Sequence, residues 1–225
     1  TANGPGGASN YTRAFHIGGN GPSAIQDDIQ SFEMASRGNA SDFGDITSDT
    51  YGMNQGSINN LTRAVFGGGY VAPGVVDVVE YFTMATAGDA ADFGNLAAAT
   101  QNTGGASSST RGLFMGGTGI DVIQYITIAS TGNTTDFGDL TDARSHPCGI
   151  SSSVRAVCGG GADPSVSNII DYITIASTGD AQDFGDLQTA RKHPVTASNS
   201  TRGLFMGGHT PTKINTTGYI TIAST

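Results

Sequence analysis

The chain has no tryptophan, two cysteines, and ten Lys plus Arg against nineteen Asp plus Glu in 225 residues. Two cysteines, Cys148 and Cys158, cannot build a disulfide framework. They read as two buried thiols, with a bond across a hairpin as the other arrangement. Only 13% of residues are charged and the formal balance is −9. Nucleic acid and anionic lipid both attract clustered Lys and Arg, so this balance argues against either as a partner. No apolar run reaches the roughly 18 residues that a spanning helix requires. No signal-peptide pattern opens the chain, which starts Thr1-Ala2-Asn3-Gly4-Pro5 and reads as a processed or trimmed form. No window carries a helical apolar stripe of useful length.

What the chain does have is glycine, 34 of it, and repetition. Thr110-Arg111-Gly112-Leu113-Phe114-Met115-Gly116-Gly117 returns letter for letter as Thr201-Arg202-Gly203-Leu204-Phe205-Met206-Gly207-Gly208. Looser copies begin at Thr12-Arg13, Thr62-Arg63 and Val154-Arg155. The arginines at 13, 63, 111, 155 and 202 are spaced by 50, 48, 44 and 47 residues. A period of this length points to a propeller, solenoid or array, in which one unit cannot bury its own apolar faces.

Within a unit, Tyr172-Ile173-Thr174-Ile175 and Tyr219-Ile220-Thr221-Ile222 alternate with period two and are rich in β-branched residues. Gly, Ser, Asn and Asp gather at the breaks. The reading is four short antiparallel strands per unit. In the first unit they run from Ala2 to Tyr11, Thr12 to Gly19, Ile29 to Ser36 and Asp42 to Ile46. In the second the first strand is Gln55 to Asn60, and in the third the third strand is Ile123 to Ser130. The fifth unit stops after Thr217 to Ser224, without a fourth strand. The predicted fold is therefore all-β: a single five-bladed β-propeller over 1–225, with blades near 1–46, 47–96, 97–140, 141–187 and 188–225.

These residues resemble the kelch repeats of β-propellers, in which an apolar run ends in Gly-Gly, a strand carries Tyr and a Trp lies near the fourth strand. The glycine pairs here are Gly18-Gly19, Gly68-Gly69, Gly116-Gly117, Gly160-Gly161 and Gly207-Gly208. Tyr81, Tyr125, Tyr172 and Tyr219 match the Tyr, with Ser31 in the first unit, and Phe43, Phe93, Phe137 and Phe184 stand where Trp is expected. The fuller wording, Tyr-Ile-Thr-Ile-Ala-Ser-Thr-Gly with Asp-Phe-Gly-Asp-Leu, resembles repeats in structural proteins of tailed bacteriophages. That resemblance implies a tail-fibre or other virion-surface part.

Alternating strands send their connections to two rims. One rim is monotonous, as in Ser107-Ser108-Ser109 and Ser151-Ser152-Ser153. The other carries segments of varied length and chemistry, such as Asn20 to Asp28, Ser48 to Asn54, Tyr70 to Asp77, Thr118 to Val122 and His209 to Thr216. Loops on a rigid scaffold are where binding concentrates. The candidate binding residues are therefore Asn20, Asp27, Tyr51, Tyr70, His146, Lys192, His193 and His209. Drift of unconstrained loops explains the variation equally well.

His146, His193 and His209 with Cys148 suggest a metal site, but His146 and His193 lie in neighbouring units, expected about a blade width apart, too far for bonds of about 2 Å to one ion. The Asp-x-x-Asp pairs (Asp42/Asp45, Asp136/Asp139, Asp183/Asp186) offer too few oxygens for calcium, and turn Asp more often bonds local backbone. The periodic arginines are expected to pair with a neighbouring blade's carboxylate or carbonyls, with an anion site at the axis as the alternative.

The expected function is non-enzymatic, with no catalytic residue, metal or cofactor: a virion-surface or tail-fibre module, located there or extracellularly. Expected partners are other virion or filament subunits, further copies of the chain, or a host glycan or protein, with no nucleic acid and no membrane insertion. The alternatives are a subunit of an extracellular filament or sheath, and a kelch-like carbohydrate oxidase or lyase.

Overall fold

The computed structural model describes residues 4–21, 24–53 and 58–224. The first blade contains β1 (Gly6–Ser9), β2 (Arg13–Asn20), β3 (Ile25–Glu33) and β4 (Ser41–Asp45). The second contains β5 (Ile58–Asn59), β6 (Arg63–Gly67), a small ribbon of β7 (Tyr70–Val71) and β8 (Gly74–Val75), then β9 (Val78–Thr83) and β10 (Ala91–Asn95). The third has β11 (Gly104–Ser107), β12 (Arg111–Gly117), β13 (Ile120–Thr127) and β14 (Thr135–Asp139). The fourth has β15 (Cys148–Ser151), β16 (Arg155–Gly159), β17 (Ile169–Thr174) and β18 (Gln182–Asp186). The fifth has β19 (Val195–Ser198), β20 (Arg202–Met206), a ribbon of β21 (His209–Thr210) and β22 (Thr212–Lys213), and β23 (Thr217–Thr221). Each blade is an antiparallel sheet of strands in chain order, four strands wide in the first four blades and three in the fifth. This is the five-bladed β-propeller that the repeat predicts.

The strand bounds differ from expectation in the first and third blades. The third strand starts at Ile25 rather than Ile29, and at Ile120 rather than Ile123. Pairing resumes past a bulge at the first glycine of each pair, giving Gly19↔Gln26 and Asn20↔Ile25 in one blade and Gly117↔Ile120 in the other. Much of the stretches expected as free loops is therefore hairpin. Residues 2–3, 22–23, 54 and 55–57, expected in strands and varied loops, lie outside the described residues.

The core lies between blades. Phe15 and Phe43 meet Phe66 and Phe82 across the first interface. Phe93 and Leu96 meet Phe114, Ile126 and Ile128 across the second. Phe137 and Leu140 meet Ile173 and Ile175 across the third, and Ile150 and Leu187 meet Phe205 and Ile222 across the fourth. Each fully buried side chain of this size contributes about 1.5–3 kcal/mol. The repeated phenylalanines Phe43, Phe93 and Phe137 are thus buried between blades, and Tyr81–Phe93 and Tyr125–Phe137 add edge-to-face pairs at 5.8 and 6.0 Å.

Polar interlocks of three kinds fix neighbouring blades, two of which also join the fourth blade to the fifth. The first uses the periodic arginines. Arg63, Arg111 and Arg155 lie over Tyr81, Tyr125 and Tyr172 of their own blades at 4.3, 4.3 and 4.2 Å. Each then donates across the interface to the carbonyl of Ile128, Ile175 or Ile222, at 3.1, 2.8 and 2.9 Å. These three arginines therefore pair with carbonyls of the following blade, while Arg13 pairs with the Glu33 carboxylate of its own blade at 2.6 Å.

The second interlock explains Asp-Phe-Gly-Asp. The amides of Gly88, Gly132 and Gly179 donate to the carbonyls of Phe43, Phe93 and Phe137 in the preceding blade, each at 2.7 Å. A Cβ on Gly94 would lie 2.4 Å from the carbonyl oxygen of Gly132, and Gly94 has φ +148°, so only glycine fits.

The third is a serine ladder at the uniform mouth of the axis. Ser107, Ser151 and Ser198 hydroxyls donate to the carbonyls of Asn59, Ser107 and Ser151 at 2.9, 2.8 and 3.0 Å. Asn59 Nδ2 continues the ladder to the Ser9 carbonyl at 2.7 Å. Outside this mouth the tight turns are alike because Asn10, Asn60 and Asn199 side chains each accept two backbone amides, and Ser108 and Ser152 do the same.

Among the described residues none of these interlocks joins the fifth blade to the first. Arg202 stacks on Tyr219 at 4.7 Å but meets no carbonyl of another blade. Met34, whose counterparts Met84, Ile128, Ile175 and Ile222 are at most 2% exposed, is 52% exposed. Val195 and Tyr219 on the fifth blade are each 66% exposed.

Candidate functional site

The varied rim is built by the segment leaving each fourth strand and by the connection between second and third strands. Ile46, Leu96, Leu140 and Leu187 bury the start of the leaving segment. Its fifth residue, Thr50, Thr100, Arg144 or Arg191, accepts the amide of the second glycine of the pair, from Gly19, Gly69, Gly117 and Gly161, at 2.8–3.2 Å. The next residue then bonds the following blade just past its own glycine pair. Tyr51 bridges Tyr70, Ser145 bridges Ala162, and Lys192 bridges His209. In the third blade Thr118 donates to the Gln101 carbonyl at 3.2 Å.

One residue further in, the chain turns left-handed. Gly52, Asn102, His146 and His193 have φ of 68°, 61°, 58° and 53°. Each amide donates to the carbonyl of its counterpart one blade earlier, at 2.9, 2.7, 2.9 and 3.3 Å, beginning at Gly4. This winds a main-chain spiral around the axis. Its tight radius overturns the expectation that His146 and His193 stand a blade width apart: their ring centroids are 3.9 Å apart, at 56°. Both imidazoles are driven down to about 4. Burial is the largest cause for each, followed by the facing His193 and Lys192 for His146, and by Lys192 and His209 for His193. At neutral pH the pair is uncharged. His146 Nδ1 lies 3.0 Å from Ser145 Oγ. Among the described residues no three His, Cys, Asp or Glu side chains are placed to share an ion.

Of the eight candidate residues, the structure brings six together in pairs. Tyr51 and Tyr70 stack at 5.3 Å, His146 meets His193, and Lys192 pairs with His209 through amide–carbonyl bonds of 3.1 and 2.9 Å. Asn20 and Asp27 stand in strands of the first blade rather than in a free loop, Asn20 at the end of β2 and Asp27 within β3, where its carbonyl accepts the Ile46 amide at 2.7 Å. Cys148 and Cys158 are both buried. The Cys148 thiol donates to the Pro194 carbonyl at 2.7 Å. Burial raises the Cys148 thiol and pushes Cys158 up to about 11, so both stay protonated. Within β18, Asp183 accepts the Gly185 amide at 2.8 Å, a local backbone bond of the kind expected of these Asp pairs. Burial, then the neighbouring carboxylates of Asp27 and Asp89, raises Asp45.

Sequence reading missed the groups beneath the rim. Arg144 and Asp171 are both fully buried and ion-paired. Thr141 holds the same carboxylate through its amide at 3.2 Å and its hydroxyl at 2.7 Å. Arg191 is 3% exposed and donates to the carbonyls of Gly207 and Thr216 at 3.0 and 3.3 Å. The available signal was the shared string Ala-Arg-x-His-Pro at 143–147 and 190–194, which free drift would not keep.

The fold has close relatives in space but not in sequence. The solved structure of YjhT superposes with a TM-score of 0.81 at 12% identity, covering 99% of this chain and 82% of its own. That similarity establishes the propeller architecture and nothing about activity. No protein-family model matches the chain, and no curated protein sequence does.

Proposed function

We propose that the chain is a non-enzymatic structural module of a tailed-phage virion surface or tail fibre, which presents its varied rim to a host surface or a neighbouring protein. The observation that carries this reading is the contrast between rims. One rim repeats the same Asn or Ser turn in every blade, whereas the other puts Tyr51 with Tyr70, Gln101 with Thr118, Ser145 with Ala162 and Lys192 with His209 in equivalent places. Rigid anchoring of chemically different pairs suits recognition, because little is left to order on binding. The test replaces 70–77 and 209–216 by the short Thr118-Gly119 turn and measures adsorption of virions carrying the altered chain. Loss of adsorption with normal assembly supports the reading. Unchanged adsorption, or antibodies to the rim that fail to label intact particles, ends it.

The seam favours a second reading as a filament or sheath subunit. Among the described residues Arg202 donates to no carbonyl of another blade, and Met34 is exposed where its counterparts are buried, so two copies could join head to tail. Concentration-dependent sedimentation that Arg202→Glu abolishes would support this arrangement.

A further inference from the structure

Beneath the varied rim, the second blade repeats the fourth with one half of a charge pair missing. In the fourth blade Asp171 stands opposite Cys158 of β16, accepts the Thr141 amide, and is neutralised by the buried side chain of Arg144. Three residues before the paired Thr83 of β9, as Asp171 is before Thr174, the second blade has Glu80 opposite Phe66. Glu80 is 5% exposed and accepts the Thr47 amide at 3.0 Å, as Asp171 accepts that of Thr141. Arg144, however, is replaced by Thr50, whose hydroxyl turns away to the Ser48 carbonyl at 2.8 Å. Between Thr50 and Glu80 lies a cavity of about 80 Å³, walled by Met53, Phe66, Val71 and Val76. Among the described residues no cationic side chain pairs with Glu80. The third blade avoids the problem with neutral Gln124, which accepts the Ala97 amide at 2.7 Å and the Thr134 hydroxyl at 2.6 Å.

A carboxylate taken out of water needs a counter-charge and donors for its remaining lone pairs. On the measure by which one water needs about 10–15 Å³, the cavity holds several water-sized volumes, enough for a small planar head but not for a sugar ring. We infer that this cavity is a binding site for a guanidinium or primary ammonium group on a short apolar neck, with the Glu80 carboxylate as counter-ion and the Met53, Phe66, Val71 and Val76 wall around the neck. The ligand does at Glu80 what Arg144 does at Asp171. The site stands on its own geometry, whatever the rim attaches to. Two sources carry this chemistry: a free alkyl amine, and an arginine or lysine side chain of a docked protein.

Calorimetric titration of the intact chain with agmatine, and with an end-blocked arginine tripeptide, tests it. Agmatine should bind saturably in the millimolar range. Glu80→Gln should weaken that binding at least about tenfold, the loss expected of a charged hydrogen bond. Thr50→Arg should abolish it and raise the thermal midpoint, because its own guanidinium then fills the cavity. Tripeptide binding that Glu80→Gln also weakens identifies a docked side chain as the source, and agmatine binding without tripeptide binding identifies a free amine. Absence of saturable agmatine binding to the wild-type chain, or equal binding to Glu80→Gln, overturns the proposal.

Discussion

Arg111 and Arg202 stand second in two identical octapeptides, and the structure separates their fates. Both stack on a tyrosine of their own blade, at 4.3 and 4.7 Å. Only Arg111 goes on to a carbonyl of the next blade, that of Ile175, at 2.8 Å, where the residue is 2% exposed. Alanine at 111 removes a charged hydrogen bond worth about 1.5–3 kcal/mol and a stacked cation worth about 0.5–1 kcal/mol, and it leaves the Ile175 carbonyl buried without that donor. Part of this is screened, because Arg111 itself is only half-buried, so we expect a loss of about 2–3 kcal/mol. Alanine at 202 removes a stack on a tyrosine that is 66% exposed, and about 0.5 kcal/mol is expected. For a chain of this size the difference of about 2 kcal/mol is a shift of about 4–8 °C in thermal midpoint. A terminal blade can fray without moving the global midpoint, so Arg155→Ala is the control: it releases the fifth blade's Ile222 carbonyl, bonded at 2.9 Å, and should cost about as much as Arg111→Ala. The assay is thermal and urea unfolding of the three variants together. Equal losses at 111 and 202 would show that the tyrosine stack does all the work and that the carbonyl does not lock the blades.

Three further outcomes follow from the same geometry. Gly94→Ala would put a Cβ 2.4 Å from the Gly132 carbonyl oxygen and should cost more than about 2 kcal/mol. Gly185→Ala, with open space at that position, should cost much less on the same unfolding curves. Asp171→Asn strands the Arg144 charge and should cost about 3–5 kcal/mol, whereas Arg144→Met with Asp171→Leu should recover most of the loss in a double-mutant cycle. The histidine pair sets an acid limit. Their folded values, about 4, lie below the ordinary 6.5, so the folded chain binds fewer protons than the unfolded one, and stability present above 6.5 is lost as pH falls towards 4. His146→Asn with His193→Asn copies Asn102, which has the same left-handed turn, and should flatten the stability profile between pH 6.5 and 4.

The blade order was legible because the repeat states it five times. Gly-Gly marks the end of each second strand, Tyr the third, and Asp-Phe-Gly the fourth, and copies that disagree in detail agree in spacing. The interlocking role of the arginines was also within reach, since a cation recurring at one level of every blade needs an acceptor in every blade. The rim was harder. Whether His146 reaches His193 depends on how tightly the leaving segments wind around the axis, a radius that spacing along the chain does not contain. Glu80 and Asp171 look alike in sequence, each an acid before Tyr in an apolar strand. Their difference lies about thirty residues earlier in the chain, in Thr50 against Arg144. The strand placement of Asn20 and Asp27 was hidden for a simpler reason: polar residues beside a glycine pair read as loop, while the backbone went on pairing past the bulge.

In the first four units, the locks between neighbouring blades have their donor and acceptor halves written in one stretch of 44–50 residues. Duplication or deletion of one whole stretch therefore leaves each surviving junction with both halves. Genetic exchange between such similar stretches can lengthen or shorten the array in whole units, while the rim segments travel along as interchangeable cassettes. A scaffold of this kind can change what it displays without having to reinvent how it holds together.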